Sequence, residues 1–248
     1  MKKTIVNLLL LCLVSTTLSA QIIKQQDLEN YAKERYGANW LEAAKALGGT
    51  LKFDKNESLT FQEVIQAPGK TSQQLYVLLN YWATATFKDK QAITLNDKES
   101  GCIIISSILP AIADHTGTVN RYIVNITPVI RIDIKDGRIR VTYTVQNYDV
   151  LKAEDGGWLG GLFDNTRRDN KNQTIYSDGK RMNDDKTDRR LYDEQWEITK
   201  HYPFVEKDSQ KRTCAKALVM TYAYSNVVLD KITETVKNGL VGNEDDNW

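Results

Sequence analysis

Apolar residues recur along this chain with two different periods, and the elements follow from which period holds where. From Asp27 to Leu47, the residues Leu28, Tyr31, Ala32, Leu41, Ala44 and Leu47 fall near one face, with Glu29, Lys33, Glu34, Glu42 and Lys45 elsewhere, which predicts a helix. Gly37 interrupts it at about 1 kcal/mol relative to Ala and offers a place to break, and Gly48-Gly49 ends it. Leu59–Ile65 alternates weakly and reads as a strand, followed by the turn Pro68-Gly69-Lys70. Thr71 with Gln74 three residues on forms a capping box, and Leu75, Leu78, Leu79, Trp82 and Thr86 continue at helical spacing. Ala92–Leu95 and Cys102–Ile108 are short apolar runs separated by a polar turn.

The alternation is clearest in Tyr122–Lys135 and Arg138–Val145. Ile130, Ile132 and Ile134 alternate with Arg131, Asp133 and Lys135. After Asp136-Gly137, Ile139, Val141, Tyr143 and Val145 alternate with Arg138, Arg140, Thr142 and Thr144. Asp-Gly between alternating runs predicts a hairpin with one buried and one solvated face, as in an antiparallel sheet carrying helices on one side. Pro128 cannot donate to a ladder and so marks a bulge or an edge. Asp114-His115 is read as loop between strands. From Ser209 to Asn238 a long helix carries Leu218, Tyr222, Leu229, Ile232 and Val236 as its apolar stripe.

Two segments break the pattern. Met1–Ala20 has Lys2-Lys3, the apolar run Ile5–Val14 and small residues at its end, the layout of a secretory signal peptide cut after Ala20. Gly156-Gly157-Trp158-Leu159-Gly160-Gly161-Leu162-Phe163 leads into Asp164–Glu194, which holds eight acids and eight bases. Such a stretch buries too little apolar surface to offset its ordering entropy, so residues 156–194 are expected to form a mobile insertion. The expected organisation is a signal peptide at 1–20, a helical extension at 21–58, an α+β domain at 59–240 and an acidic tail at 241–248.

Composition narrows the chemistry. Lys+Arg number 33 against Asp+Glu 32, and without Lys2 and Lys3 the balance is 31 to 32, a net of −1. That balance speaks against a general nucleic-acid binder, which needs a basic field. Beyond the leader no apolar run is long enough to span a bilayer. The two cysteines outside the leader, Cys102 on a strand and Cys214 on a helix, read as two small buried side chains; the alternative is a possible disulfide, which an oxidising compartment permits but does not require. His115 and His201 show no convergent partners, no nucleophile elbow or phosphate loop is present, and the acidic run Asn183-Asp184-Asp185 lacks calcium-loop spacing. No catalytic residue, cofactor or metal is expected. Candidate partner contacts are Trp158, Leu159 and Phe163 in the glycine-aromatic run, and Arg131, Arg138 and Arg140, with Lys135, on the polar hairpin face.

Several residue groups also resemble a known family: Gln74-Leu75-Tyr76 with Tyr81-Trp82, Lys98-Glu99-Ser100-Gly101 entering a strand, and Asp136-Gly137-Arg138-Ile139-Arg140. To these add Tyr202-Pro203-Phe204, Ala223-Tyr224-Ser225, and the lead-in Tyr31–Gly37. Together they resemble a domain-of-unknown-function family with a TBP-like fold, found in exported proteins of Gram-negative anaerobic bacteria. The resemblance implies a curved antiparallel sheet of about five strands with two helices on one face, here with an added N-terminal helix. It implies no activity, and fold does not dictate function. The expectation is an exported, periplasmic or secreted, non-enzymatic module that contacts a protein or glycan of the cell envelope. A small periplasmic hydrolase and a structural homo-oligomeric subunit are the alternatives.

Overall fold

A computed structural model describes residues 22–87, 91–116, 120–155, 189–201 and 208–239. The elements begin with α1 (Gln25–Tyr36), α2 (Trp40–Leu47), β1 (Leu59–Gln66) and α3 (Ser72–Thr86). Next come β2 (Ile93–Asp97), β3 (Cys102–Ser106), β4 (Leu109–Thr116), β5 (Asn120–Ile126), β6 (Val129–Lys135) and β7 (Arg138–Val145). The chain continues with β8 (Asn147–Asp155), β9 (Arg189–Glu197), the short α4 (Ile198–His201) and α5 (Asp208–Asn238).

The strands form a five-stranded sheet, β1-β7-β6-β3-β2, and a four-stranded sheet, β4-β5-β8-β9, antiparallel throughout. These are two halves of one bent surface. β3 leads into β4, β5 into β6 and β7 into β8 across short breaks, and the neighbours stay neighbours on both sides. Ser106 faces Val129 and Leu109 faces Ile126, so one register runs through the bend. On the other flank Val129 faces Thr144 and Ile126 faces Tyr148, which leaves one extra residue in the β7–β8 strand at the fold line. An extra residue on one strand bends it, which is how the surface curves. Pro128 sits at this line between β5 and β6, in the interior of the sheet. Its missing donor coincides with the break in the ladder, so it marks an interruption and not an edge.

The alternation read from the sequence decides which face is covered. Ile130, Ile132 and Ile134 on β6 and Ile139, Val141, Tyr143 and Val145 on β7 are buried. Against them lie Leu75, Leu79 and Trp82 of α3, each contributing about 1.5–3 kcal/mol by burial. The 31-residue α5 is about 46 Å long at 1.5 Å per residue, enough to cross both halves. It packs on β4, β5 and β1 and against α1, α2 and α3. In the five-stranded half the Tyr222 ring lies 5.2 Å from Phe61 and Tyr224 lies 6.2 Å from Tyr143.

Local signals act where expected. The N-terminal helix breaks at Gly37, which takes φ +94°, and Asn39 restarts it by accepting the Leu41 N–H at 3.2 Å. The Thr71–Gln74 capping box is formed, with the Gln74 N–H on Thr71 Oγ1 at 3.2 Å and the Thr71 N–H on Gln74 Oε1 at 2.9 Å. The hairpin turn fastens to the same helix end, because Asp136 Oδ1 accepts the Ser72 N–H at 2.6 Å.

Two expectations are revised, one strand is added to the pattern, and the choice left open for the cysteines falls to free thiols. Asp114 and His115 lie in β4 and not in a loop, since β4 continues β3 past the bend. β8 is a full strand, although its polar sequence carries little strand signal. The last residues of the 156–194 segment, from Arg189 on, form β9 beside β8; backbone pairing supplies order that their charge pattern does not announce. The remainder of that segment lies outside the described residues. Cys102 and Cys214 are free thiols. Cys102 shares the face of Asp133 on the side of the sheet away from the helices, and Cys214 sits on α5, so the sheet separates them.

The candidate interaction surface

Among the described residues, every helix that covers the five-stranded sheet lies on one side of it, and the opposite face is left open. The register places Val64 of β1 beside Arg140 of β7, Arg140 beside Asp133 of β6, and Asp133 beside Cys102 of β3, all on this face. Val64, Leu95 and Val129 are exposed on it at 51%, 44% and 40%, a scatter of aliphatic side chains among threonine, glutamine and arginine. No aromatic side chain stands on this face among the described residues.

The charges are not evenly distributed. Asp133 is clasped by two arginines: Arg131 donates Nε and Nη2 to Oδ1 at 2.9 and 2.8 Å, and Arg140 donates Nε and Nη2 to Oδ2 at 3.1 and 2.8 Å. Burial works against the charge of Asp133, but these donors outweigh it and hold the carboxyl below its ordinary range. Two of the four cations on the hairpin face are therefore turned inward to one carboxylate. Lys135 and Arg138, paired across the hairpin end, have no ion-pair partner among the described residues. Cross-strand register sets the clasp: a two-residue turn at Asp136-Gly137 places Lys135 opposite Arg138 and so Asp133 opposite Arg140.

The other sequence-derived candidates are dispersed. Trp158, Leu159 and Phe163 lie outside the described residues. Burial, then the nearby negative charges of Asp133 and Asp97, push the Cys102 thiol up against the opposing Arg131 charge, and burial pushes Cys214 up to about 12, so both are protonated and poor nucleophiles. His115 is half-buried with its ring 5.8 Å from Tyr122, and His201 ends α4, in the other half of the molecule from the clasp. Among the described residues no group of three His, Cys, Asp or Glu side chains converges on a metal position, and no helix is long and apolar enough to cross a membrane.

One cluster escaped the sequence reading. Lys216 of α5 reaches Glu29 of α1 at 3.0 Å and Asp114 of β4 at 3.1 Å, with only 14% of its side chain exposed. Nothing in the spacing of residues 29, 114 and 216 announces it. It ties the N-terminal helix to the four-stranded half and leaves no group free for chemistry.

No curated protein matches this sequence. Two crystal structures are similar in part. One is a TBP-like protein from Parabacteroides distasonis, with 13% identity, 75% of this chain and 97% of that one covered, and a TM-score of 0.44. The other is a DUF4468 family protein from Bacteroides ovatus, with 19% identity, 48% and 63% covered, and a TM-score of 0.34. Residues 61–149, from β1 through the start of β8, match the family model described as a domain of unknown function (DUF4468) with TBP-like fold. That stretch, which contains most of the open face, is similar to the DUF4468 domain, and the fold is α+β and TBP-like.

Proposed function

We propose that this chain is an exported, non-enzymatic binding module of the cell envelope that holds an acidic protein surface against the open face of its five-stranded sheet. The observation that carries the reading is the one-sided cover of that sheet: helices bury one face, while the other presents Val64, Leu95 and Val129 together with unpaired Lys135 and Arg138. Exposed aliphatic groups with interspersed cations suit a protein partner. Among the described residues of this face no aromatic ring offers a sugar a platform to stack on. Two unpaired cations are also too few for a nucleic acid, whose binding typically neutralises about 6–10 phosphates. Export rests on the signal-like residues 1–20.

Site-specific photocrosslinking in intact cells tests the reading. A benzophenone amino acid replacing Leu95 or Val129 is expected to give one discrete protein adduct. The same group replacing Val77, exposed on α3 on the far side of the sheet, is not. Arg138→Glu is expected to abolish the adduct. Equal labelling from both sides, or none from the sheet face, overturns the proposal.

A further inference from the structure

The open face ends at β1, and beyond Thr60 the outward backbone of that strand is unpaired among the described residues. Thr60 donates its N–H to the Lys52 carbonyl at 2.8 Å, away from β7, whereas Ala67 donates to the Gly137 carbonyl at 2.8 Å, on the β7 side. Successive N–H groups in a strand alternate sides, so those of Gln62, Val64 and Gln66, with their carbonyls, point outward from the sheet. The returning segment around Phe53 covers only the start of the strand, through its bridge to Leu59. Beyond it, Gln62, Glu63 and Val64 are exposed in succession, and the outward backbone groups of Gln62 and Val64 have no partner among the described residues.

The opposite edge of the same sheet is treated differently. β2 has five residues, and its pairing with β3 shifts register between Ile93 and Leu95. Short, irregular edges of that kind are how sheets avoid taking on further strands. β1 has eight residues and runs in unbroken register with β7 from Leu59 to Gln66. Glu63 is its single charge.

Resting on the binding reading above, we infer that β1 is the docking edge, and that the partner adds to it as an extended strand with a carboxylate beside Gln66 and an aliphatic residue beside Val64. The side-chain pattern follows from what stands next to each outward position. Arg140, opposite Val64, is turned away to Asp133, so the surface beside Val64 is apolar. Arg138, opposite Gln66, and Lys135 beyond it are unpaired among the described residues, so the surface beside Gln66 is cationic. On the other face Glu63 lies between Val64 and Gln62 and favours a basic or neutral residue opposite. An antiparallel occupant therefore reads acid, neutral, aliphatic, basic, aliphatic from its N-terminus.

A fluorescein-labelled hexapeptide, acetyl-Glu-Thr-Val-Lys-Val-Thr-amide, is the probe, titrated against the full chain by fluorescence anisotropy. Saturable binding is expected. N-methylation of the two valine amides, which keeps the side chains but removes the strand-pairing donors, is expected to weaken it by about tenfold or more. Val64→Pro and Arg138→Glu are expected to do the same; proline is tolerated on a strand edge where the N–H faces solvent, and unfolding midpoints check that the variant is folded. Val77→Glu, exposed on α3 on the other side of the sheet, is expected to leave probe affinity within about twofold. An N-methylated peptide that binds as well as its parent overturns strand addition, as does no binding at about 1 mM peptide. Neither result touches the photocrosslinking test of the open face. A dimer in sedimentation that Val64→Pro dissociates would make the occupant a second copy of this chain and overturn the partner assignment.

Discussion

Tyr143→Phe is expected to make the protein more stable, and the reasoning can be followed from one atom. Tyr143 lies on the covered face of β7, fully buried, with its ring 5.9 Å from Phe61 and 6.2 Å from Tyr224. Its hydroxyl has no hydrogen-bond partner among the described residues, and burial drives its pKa far up, so it is a neutral, unpaired donor. Leaving a buried polar group unpaired costs about 1–3 kcal/mol. Phenylalanine keeps the ring contacts and removes only the oxygen, leaving a small void that gives back part of the gain. A net stabilisation of about 1 kcal/mol remains, which at an m-value near 2 kcal/mol/M raises the urea midpoint by about 0.5 M. Tyr36→Phe is the control with opposite sign. The Tyr36 hydroxyl accepts the Asn226 Nδ2–H at 2.6 Å, so its removal is expected to cost about 1 kcal/mol. Urea titrations followed by circular dichroism, with m unchanged, read both. A lower midpoint for Tyr143→Phe would refute the reasoning and show that the hydroxyl is paired, with a buried water the first candidate.

Gly101→Ala is expected to destabilise by about 2 kcal/mol or more. Gly101 takes φ +64°, left-handed strain alone costs about 1–2 kcal/mol, and the new Cβ would stand 2.8 Å from the Ile134 carbonyl oxygen. Thermal melts of Gly101→Ala and Gly137→Ala compare two positive-φ sites of which only the first is crowded; equal losses would dismiss the contact. Thr71→Ala removes the acceptor of the α3 capping box and is expected to lower stability by about 1 kcal/mol, measured by chemical denaturation. The Lys216 cluster predicts a pH dependence. Burial works against the charge of Glu29, but hydrogen bonds from Lys33 and Lys216 outweigh it and hold its pKa below 4.5. The stability this contributes is complete above that ordinary value and is lost as pH falls through the depressed one. Lys216→Met is expected to cost about 1–2 kcal/mol at neutral pH, between exposed and buried pairs, and to flatten the acid limb of the midpoint-versus-pH curve. An unchanged acid limb would exclude the cluster as its source.

The parts of the fold that the chain announced are those where local chemistry and burial agree. The Asp136-Gly137 hairpin, the Thr71 cap and the long terminal helix each combine a turn or cap signal with an apolar period, and each is present. The four-stranded half was harder to see. β4 contains Pro110 and Asp114, β8 is polar, and β9 begins in a run of charges; these become strands because their neighbours pair with them. The arginine positions on the open face were legible from alternation, whereas their division into two clasped and two unpaired cations needed the cross-strand register.

By itself, then, the sequence determined the main helices, the strands of the five-stranded half and the face each one buries, because periods of 3.6 and 2 are properties of a single segment. It also determined the hairpin register around Asp136-Gly137, because a two-residue turn leaves no other pairing. The tertiary structure alone decided that the surface bends at one line, that α5 crosses both halves, that the sheet separates Cys102 from Cys214, and that Lys216 meets Glu29 and Asp114. Among the described residues it likewise left the β1 edge open beyond Thr60. Each of these joins residues dozens of positions apart, and such contacts arise from how finished elements stack, which no local pattern encodes.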